Sequence, residues 1–171
     1  DSTLTLYDKD GNVLGTVTVQ PGQPTVQVTV TILPQGFQTI FAKVTDAGDD
    51  RSKDSNEAEL EIFIDSNSPT FEANQEFDYI ENSTTSDILG KVEASDVNGI
   101  ETFEITSGNT DGYFAIDDKG NITLTATGVG AASNDYETGN NSFTLTIQVT
   151  DNVGNTTTKD ITLNVTNADE E

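Results

Sequence analysis

Residues 142–166 read SFTLTIQVTDNVGNTTTKDITLNVT. Phe143, Leu145, Ile147 and Val149 alternate with polar residues, so an extended chain here has one apolar side and one polar side. That period of two is the pattern of a half-buried strand. Ile161, Leu163 and Val165 repeat it over residues 160–166. Between the two runs, Asp151-Asn152-Val153-Gly154 carries turn formers and an acid.

The same alternation extends outward in both directions. Towards the N-terminus, strands are predicted at 77–81, 88–94, 101–106 and 121–127. Earlier still, Thr3 to Tyr7 alternates, turns at Asp8-Lys9-Asp10-Gly11-Asn12, and resumes from Val13 to Val19. TVQVTVTI over residues 25–32, FQTIFAKVT over 37–45, and Ala58 to Ile64 read as further strands. Helical periodicity is nearly absent. Asp65-Ser66-Asn67-Ser68-Pro69 is short and polar, and Pro69 cannot donate a ladder hydrogen bond. It marks a boundary. The expected fold is all-β, two tandem Greek-key β-sandwiches over residues 1–65 and 66–171.

Composition bounds the function. The 171 residues hold 30 acidic and 7 basic side chains, a formal net charge of -23. Nucleic acid and anionic membranes repel such a surface, so neither is an expected partner. Cysteine and histidine are both absent. Disulfides, thiol chemistry, the usual zinc ligands and any histidine-based triad are thereby excluded. No apolar run approaches the roughly 20 residues of a membrane helix, so direct membrane insertion is not expected. The chain starts at Asp1 rather than a Met and reads as a piece excised from a longer polypeptide.

The acids are clustered at turns. Glu81 sits in Tyr79-Ile80-Glu81-Asn82; others lie in Asp96-Val97-Asn98, Asp135-Tyr136-Glu137, Asp151-Asn152-Val153-Gly154 and the tail Asn167-Ala168-Asp169-Glu170-Glu171. Carboxylates gathered in this way repel one another unless a cation lies between them. Calcium takes six to eight oxygen ligands and suits such loops. Asp117-Asp118-Lys119-Gly120-Asn121 reads instead as an ordinary hairpin turn.

These pieces, with Pro69-Thr70-Phe71, Val92-Glu93-Ala94-Ser95, Phe103-Glu104-Ile105, Phe114-Ala115-Ile116-Asp117 and Gly120-Asn121-Ile122, resemble a cadherin-type repeat over residues 69–171 in their order and spacing. The resemblance implies two Ca2+ half-sites at opposite ends of that repeat. Asp65, Asn67, Asp96, Asn98 and Asp151 would serve one. Glu81, Asp135, Glu137, Asn167, Asp169 and Glu170 would serve the other, shared with a following domain. The chain departs from the family at Asn98 and Asn167, where an Asp is usual, and its linker before Pro69 is short. Each change lowers ligand charge.

Residues 1–65 resemble the later part of a bacterial immunoglobulin-like repeat, on Leu4-Thr5-Leu6-Tyr7-Asp8, Val13-Leu14-Gly15-Thr16 and Ala42-Lys43-Val44-Thr45-Asp46-Ala47-Gly48. Such repeats begin about two strands earlier, so the domain is either truncated or split. Asp8 and Asp10 either donate to the interdomain ion or belong only to their turn. Asp46, Asp49, Asp50 and Asp54 either serve a preceding domain or form a solvated loop.

Together these resemblances imply a calcium-stiffened extender module of a secreted bacterial repeats-in-toxin adhesin, exported to the cell surface. Its expected partners are neighbouring repeats of its own polypeptide, with the chain itself monomeric. A second reading is an adhesin tip that recognises a peptide or glycan on a host or cell surface. An enzyme is not expected. With 30 acids, close carboxylate pairs arise by chance, and no Trp is present to stack a sugar.

Overall fold

The computed structural model describes residues 1–30, 33–46, 57–73 and 75–168. The chain divides into two compact units, Asp1–Ser66 and Asn67–Glu171. The expected metal ligands Asp169 and Glu170 lie outside the described residues, as do Asp49, Asp50 and Asp54.

The first unit is a four-stranded antiparallel sheet. β1 (Ser2–Tyr7) lies between β2 (Val13–Val19) and β3 (Gly36–Asp46), and β4 (Ala58–Ile64) forms the edge beyond β3. Register explains which face is apolar. Leu4 stands opposite Val17 and Val44, Leu6 opposite Gly15 and Ala42, and Ile40 opposite Leu60. Partners across a ladder share a face, so these residues line one side of the sheet. That side is thinly covered among the described residues: Ile40 is buried, whereas Leu60 is 59% exposed.

The expected strand over residues 25–32 does not form across its described part, 25–30. A methyl group added at Gly15 would strike the Thr29 carbonyl and the Val28 side chain. The segment at Val28 and Thr29 therefore lies close against the sheet at Gly15. A second sheet is not present among the described residues of this unit, so the expected sandwich is seen here as a single layer.

The second unit is a sandwich. Its larger sheet has the order β6 (Glu76–Ile80), β13 (Thr156–Thr166), β12 (Ser142–Asp151), β9 (Ile100–Ser107). β13 pairs antiparallel with β12 and parallel with β6. Facing it are β10 (Phe114–Ile116), β11 (Asn121–Leu124) and β7 (Gly90–Lys91), with a two-stranded ladder of β5 (Thr70–Phe71) and β8 (Ala94–Ser95). Leu145, Ile147, Val149, Ile161 and Leu163 are wholly buried against Ile122, Leu124, Val92 and Phe114. The alternation read at 142–166 is thus the core-facing pattern of β12 and β13. Gly90 is required where the layers approach, because a Cβ there would fall 2.3 Å from the Phe77 ring.

Two predicted strands are interrupted. The run 88–94 breaks between β7 and β8 because the buried Gln75 side chain takes the ladder's place. Its Oε1 accepts from Glu93 N at 3.0 Å and its Nε2 donates to the Glu93 carbonyl. The run 121–127 stops at Leu124. Thr125 then caps a one-turn helix, α1 (Ala126–Val129), its Oγ1 accepting from Gly128 N at 3.1 Å. A 3-10 turn at Ala132–Asn134 follows. No helix among the described residues is long and apolar enough to cross a membrane.

The unequal burial predicts unequal responses. Leu163→Ala should destabilise the second unit by about 2–5 kcal/mol through the cavity it leaves. Leu60→Ala in the first unit should stay within about 0.5 kcal/mol, as for an exposed site. Urea unfolding of the two variants measures both.

Candidate metal centre

Three short loops share one construction. In each, an Asp is followed three residues later by Gly and four residues later by Asn: Asp8 to Asn12, Asp117 to Asn121, and Asp151 to Asn155. The Asp Oδ1 accepts two backbone N–H bonds, from residues two and four onward, and Oδ2 accepts the Asn side-chain amide. The Gly residues have φ of 81°, 81° and 92°. A side chain at that backbone angle is strained, which is why glycine stands there.

The three carboxylates are held charged. At Asp8 and Asp117 the Asn side chain is the largest cause of a pKa below the ordinary carboxylate value. At Asp151 burial pushes the pKa up, but the bonds from Asn155, Val153 and Gly154 outweigh it and the net direction is down. Asp8 is thus engaged by its own turn, and Asp10 pairs with Lys9 at 2.9 Å. Asp117 likewise serves its hairpin.

Asp151 differs from the other two in its surroundings. It is fully buried, and one of its oxygens lies within 4.8 Å of a carboxylate oxygen of Asp96. Asp96 Oδ1 accepts from Asn98 N at 2.8 Å, and the Asn98 carbonyl accepts from the Asn152 side chain. The turns at 96–99 and 151–155 are therefore laced together within the second unit. Asp65 lies one residue before the end of the first unit, and Asn67 opens the second.

At the end of β6 the acids gather more tightly. Glu81, Asp135 and Glu137 each place a carboxylate oxygen within 4.8 Å of the others. The parallel β6–β13 ladder, with Val165 opposite Tyr79 and Thr166 opposite Ile80, carries Glu81 beside the chain leaving β13. Glu81 N donates to the Thr166 carbonyl at 2.9 Å. Its side chain is only 3% exposed. Oε1 accepts from Ala168 N at 2.6 Å and Oε2 from Tyr136 N at 2.8 Å. Asp135 Oδ1 accepts from Glu137 N and Thr138 N, and Glu137 Oε1 accepts from the Asn167 side chain. Among the described residues none of the three acids has an ion pair.

Sequence reasoning missed Asn134. Its carbonyl accepts from Asn82 N at 2.9 Å and its side chain donates to the Ser83 carbonyl at 3.0 Å. It fastens the acidic loop to the residues after Glu81. Its own Oδ1 is buried without a hydrogen-bond partner, as is Oδ1 of Asn141 at the far end of the same loop. Adjacency to Asp135 was the only signal in the sequence. The donor set fits a hard divalent cation: it is all oxygen, carries three carboxylates and lacks a compensating ammonium.

No family model matches the chain, and no curated protein is similar to it. Solved structures with a similar chain path include Drosophila N-cadherin EC1-3, at 19% identity over 98% of this chain and 56% of that one, TM-score 0.49. The third cadherin domain of human protocadherin 7 matches at 20% identity over 63% of this chain and 92% of that one, TM-score 0.48. Mouse Cadherin-23 EC22-24 matches at 17% identity over 96% of this chain and 54% of that one, TM-score 0.47. The chain spans 27% of the protocadherin GammaB4 structure and 56% of the Drosophila one.

The Asp turns predict an acid dependence. A carboxylate whose folded pKa is depressed contributes stability that is present above its unfolded value and lost as pH falls through the folded one. For Asp117 the unfolded value is 3.8, so the contribution should be complete at neutral pH and fade below about pH 4. Asp117→Asn should flatten urea midpoints measured across pH 3 to 6, about the range of carboxylate titration.

Proposed function

We propose that the second unit is a calcium-binding structural module of an extracellular adhesin. The observation that carries this reading is the Glu81–Asp135–Glu137 group, three carboxylates within 4.8 Å of one another and without an ion pair. Like charges at that separation raise the energy of the fold unless a cation is shared between them. Glu81, Asp135 and Glu137 are the proposed ligands, with Asn167, Asp169 and Glu170 of the outgoing tail completing the set. Asp96, Asn98 and Asp151 form the second proposed group.

Bound calcium supplies positive charge and several bonds to oxygen at once. The residues then do the mechanical work. Glu81 fastens the end of β6 to Tyr136 and Ala168, so the loop, the strand and the outgoing chain are already tied to one carboxylate. Neutralising the three acids removes the repulsion that would spread those ties. A stiffer exit from β13 follows, which is the property an extender repeat needs. Sites in extracellular modules bind with Kd of about 10⁻⁴–10⁻³ M. Millimolar calcium outside cells would fill them after export, while the cytosol would leave them unfilled.

The bacterial cell surface, the repeats-in-toxin parent, the immunoglobulin-like character of residues 1–65 and the neighbouring repeats as partners belong to this proposal and rest on the sequence resemblance. So does its non-enzymatic nature.

At a calcium concentration about ten times Kd, one site should stabilise the second unit by about 1.4 kcal/mol. Thermal melts with calcium and with chelator read this out. Glu137→Gln, which removes an exposed ligand, should shrink the shift. A melting temperature that calcium leaves untouched sinks the proposal.

A further inference from the structure

Asn98-Gly99 is the one asparagine–glycine pair in the 171 residues. It closes the turn between β8 and β9, where Gly99 N donates to the Asp96 carbonyl at 3.1 Å. Gly99 has φ of 82° and no side chain to shield its nitrogen. Asn98 is half-buried, and its backbone is engaged on both sides. Its N–H donates to Asp96 Oδ1 and its carbonyl accepts from the Asn152 side chain. Its side-chain amide makes no hydrogen bond among the described residues. That sets it apart. Asn12, Asn121 and Asn155 give their amides to the Asp of their own turns, and Asn109 and Asn134 give theirs to backbone carbonyls. None of these is followed by glycine. Asparagine is a thermolabile residue, and its weak point is attack on the side-chain carbon by the next backbone nitrogen.

We propose that Asn98-Gly99 is a self-modifying site, with Asn152 as its latch. Gly99 N attacks the Asn98 side-chain carbonyl carbon, and the new C–N bond closes a cyclic imide. The bond from that carbon to Nδ2 breaks, and the nitrogen leaves as ammonia with the proton from Gly99. Water then opens the ring at either of its carbonyls. Opening at the side-chain carbonyl leaves aspartate at position 98 in an ordinary peptide. Opening at the backbone carbonyl leaves isoaspartate, with the main chain running through the former side-chain carbon. Nothing is oxidised or reduced: a water is consumed and an ammonia released.

The reaction needs the Asn98–Gly99 peptide plane to turn. Two hydrogen bonds oppose that, from Gly99 N to the Asp96 carbonyl and from the Asn152 side chain to the Asn98 carbonyl. A longer bond, from Asn152 N to the Gly99 carbonyl at 3.4 Å, lies on the next peptide and need not break. Each opposing bond lowers the open population by at most about tenfold, so the turn delays the reaction without forbidding it. Both products place a negative charge beside Asp96 and Asp151, which are already within 4.8 Å of each other. Isoaspartate also lengthens the main chain inside the turn and pulls it from Asn152. On the calcium reading, the aspartate product would add ligand charge there; that consequence rests on the reading, and the modification does not.

The whole chain is incubated in chelator at mildly alkaline pH, folded and in urea. Ion exchange and mass spectrometry of the tryptic peptide 92–119 follow the product. A species with one more negative charge, modified at Asn98, should accumulate in both states. The folded rate should lie at most about a hundredfold below the unfolded one, two hydrogen bonds at about tenfold each. Asn98→Gln keeps the amide but closes a ring less readily, and should abolish the change at this position. Asn152→Ala should quicken the folded reaction by up to about tenfold and leave the unfolded rate alone. Aged chain should unfold at lower urea than fresh chain, and Asn98→Gln should remove that difference. A folded chain left unmodified at Asn98, a rate there no greater than at other asparagines, a wider gap to the unfolded chain, or a folded rate unmoved by Asn152→Ala overturns the proposal. Calcium binding enters none of these readouts.

Discussion

β13 is hydrogen-bonded on both sides, antiparallel to β12 and parallel to β6. The second unit depends on that double pairing. It buries Ile161, Leu163 and Val165 at the centre of the sheet, in one core with Ile122 and Leu124 of β11 and with Leu89 and Val92, which flank β7. It also sets geometry at the sheet's end. A parallel ladder makes the two strands finish side by side, so Glu81 emerges next to Asn167 and Ala168, residues far away in sequence. Core and acidic pole are products of one register, and a slip of one residue would exchange the two faces and dissolve both.

The three Asp-to-Asn turns separate local chemistry from site chemistry. Asp8, Asp117 and Asp151 make the same hydrogen bonds and use the same left-handed glycine. A lone turn of this kind is complete in itself, its carboxylate answered by three donors. Asp151 acquires a second character only because the sandwich buries it and brings Asp96 within 4.8 Å. An acid in a turn motif is thus no guide to which acids meet. That is decided by the packing of the sandwich.

Among the described residues, the two units also show what an opposing layer does. Both have strands with sound alternation, yet nearly all the fully buried apolar residues belong to the second. In the first, one apolar face is met mainly by the segment near Val28 and Thr29, and the edge residue Leu60 stays exposed. Strand formation needs local pattern, whereas burial needs an opposing surface.

Read by itself, the sequence determined that the chain is all-β and where most strands run. Side-chain alternation and turn residues act over a few positions, so they are legible locally. It also marked Glu81, Asp135 and Glu137, because clustered acids without nearby bases are visible in order. Only the tertiary structure decided which acids meet. Asp8 and Asp117 stay within their turns, and Asn134 fastens a loop that no local signal ties to Ser83. Over 25–30, the described part of the strand expected at 25–32, the chain packs against Gly15 without forming a strand, and the strand expected at 88–94 was cut by Gln75 from outside the segment. Those contacts join residues far apart along the chain, and their energies depend on distances that no local pattern encodes.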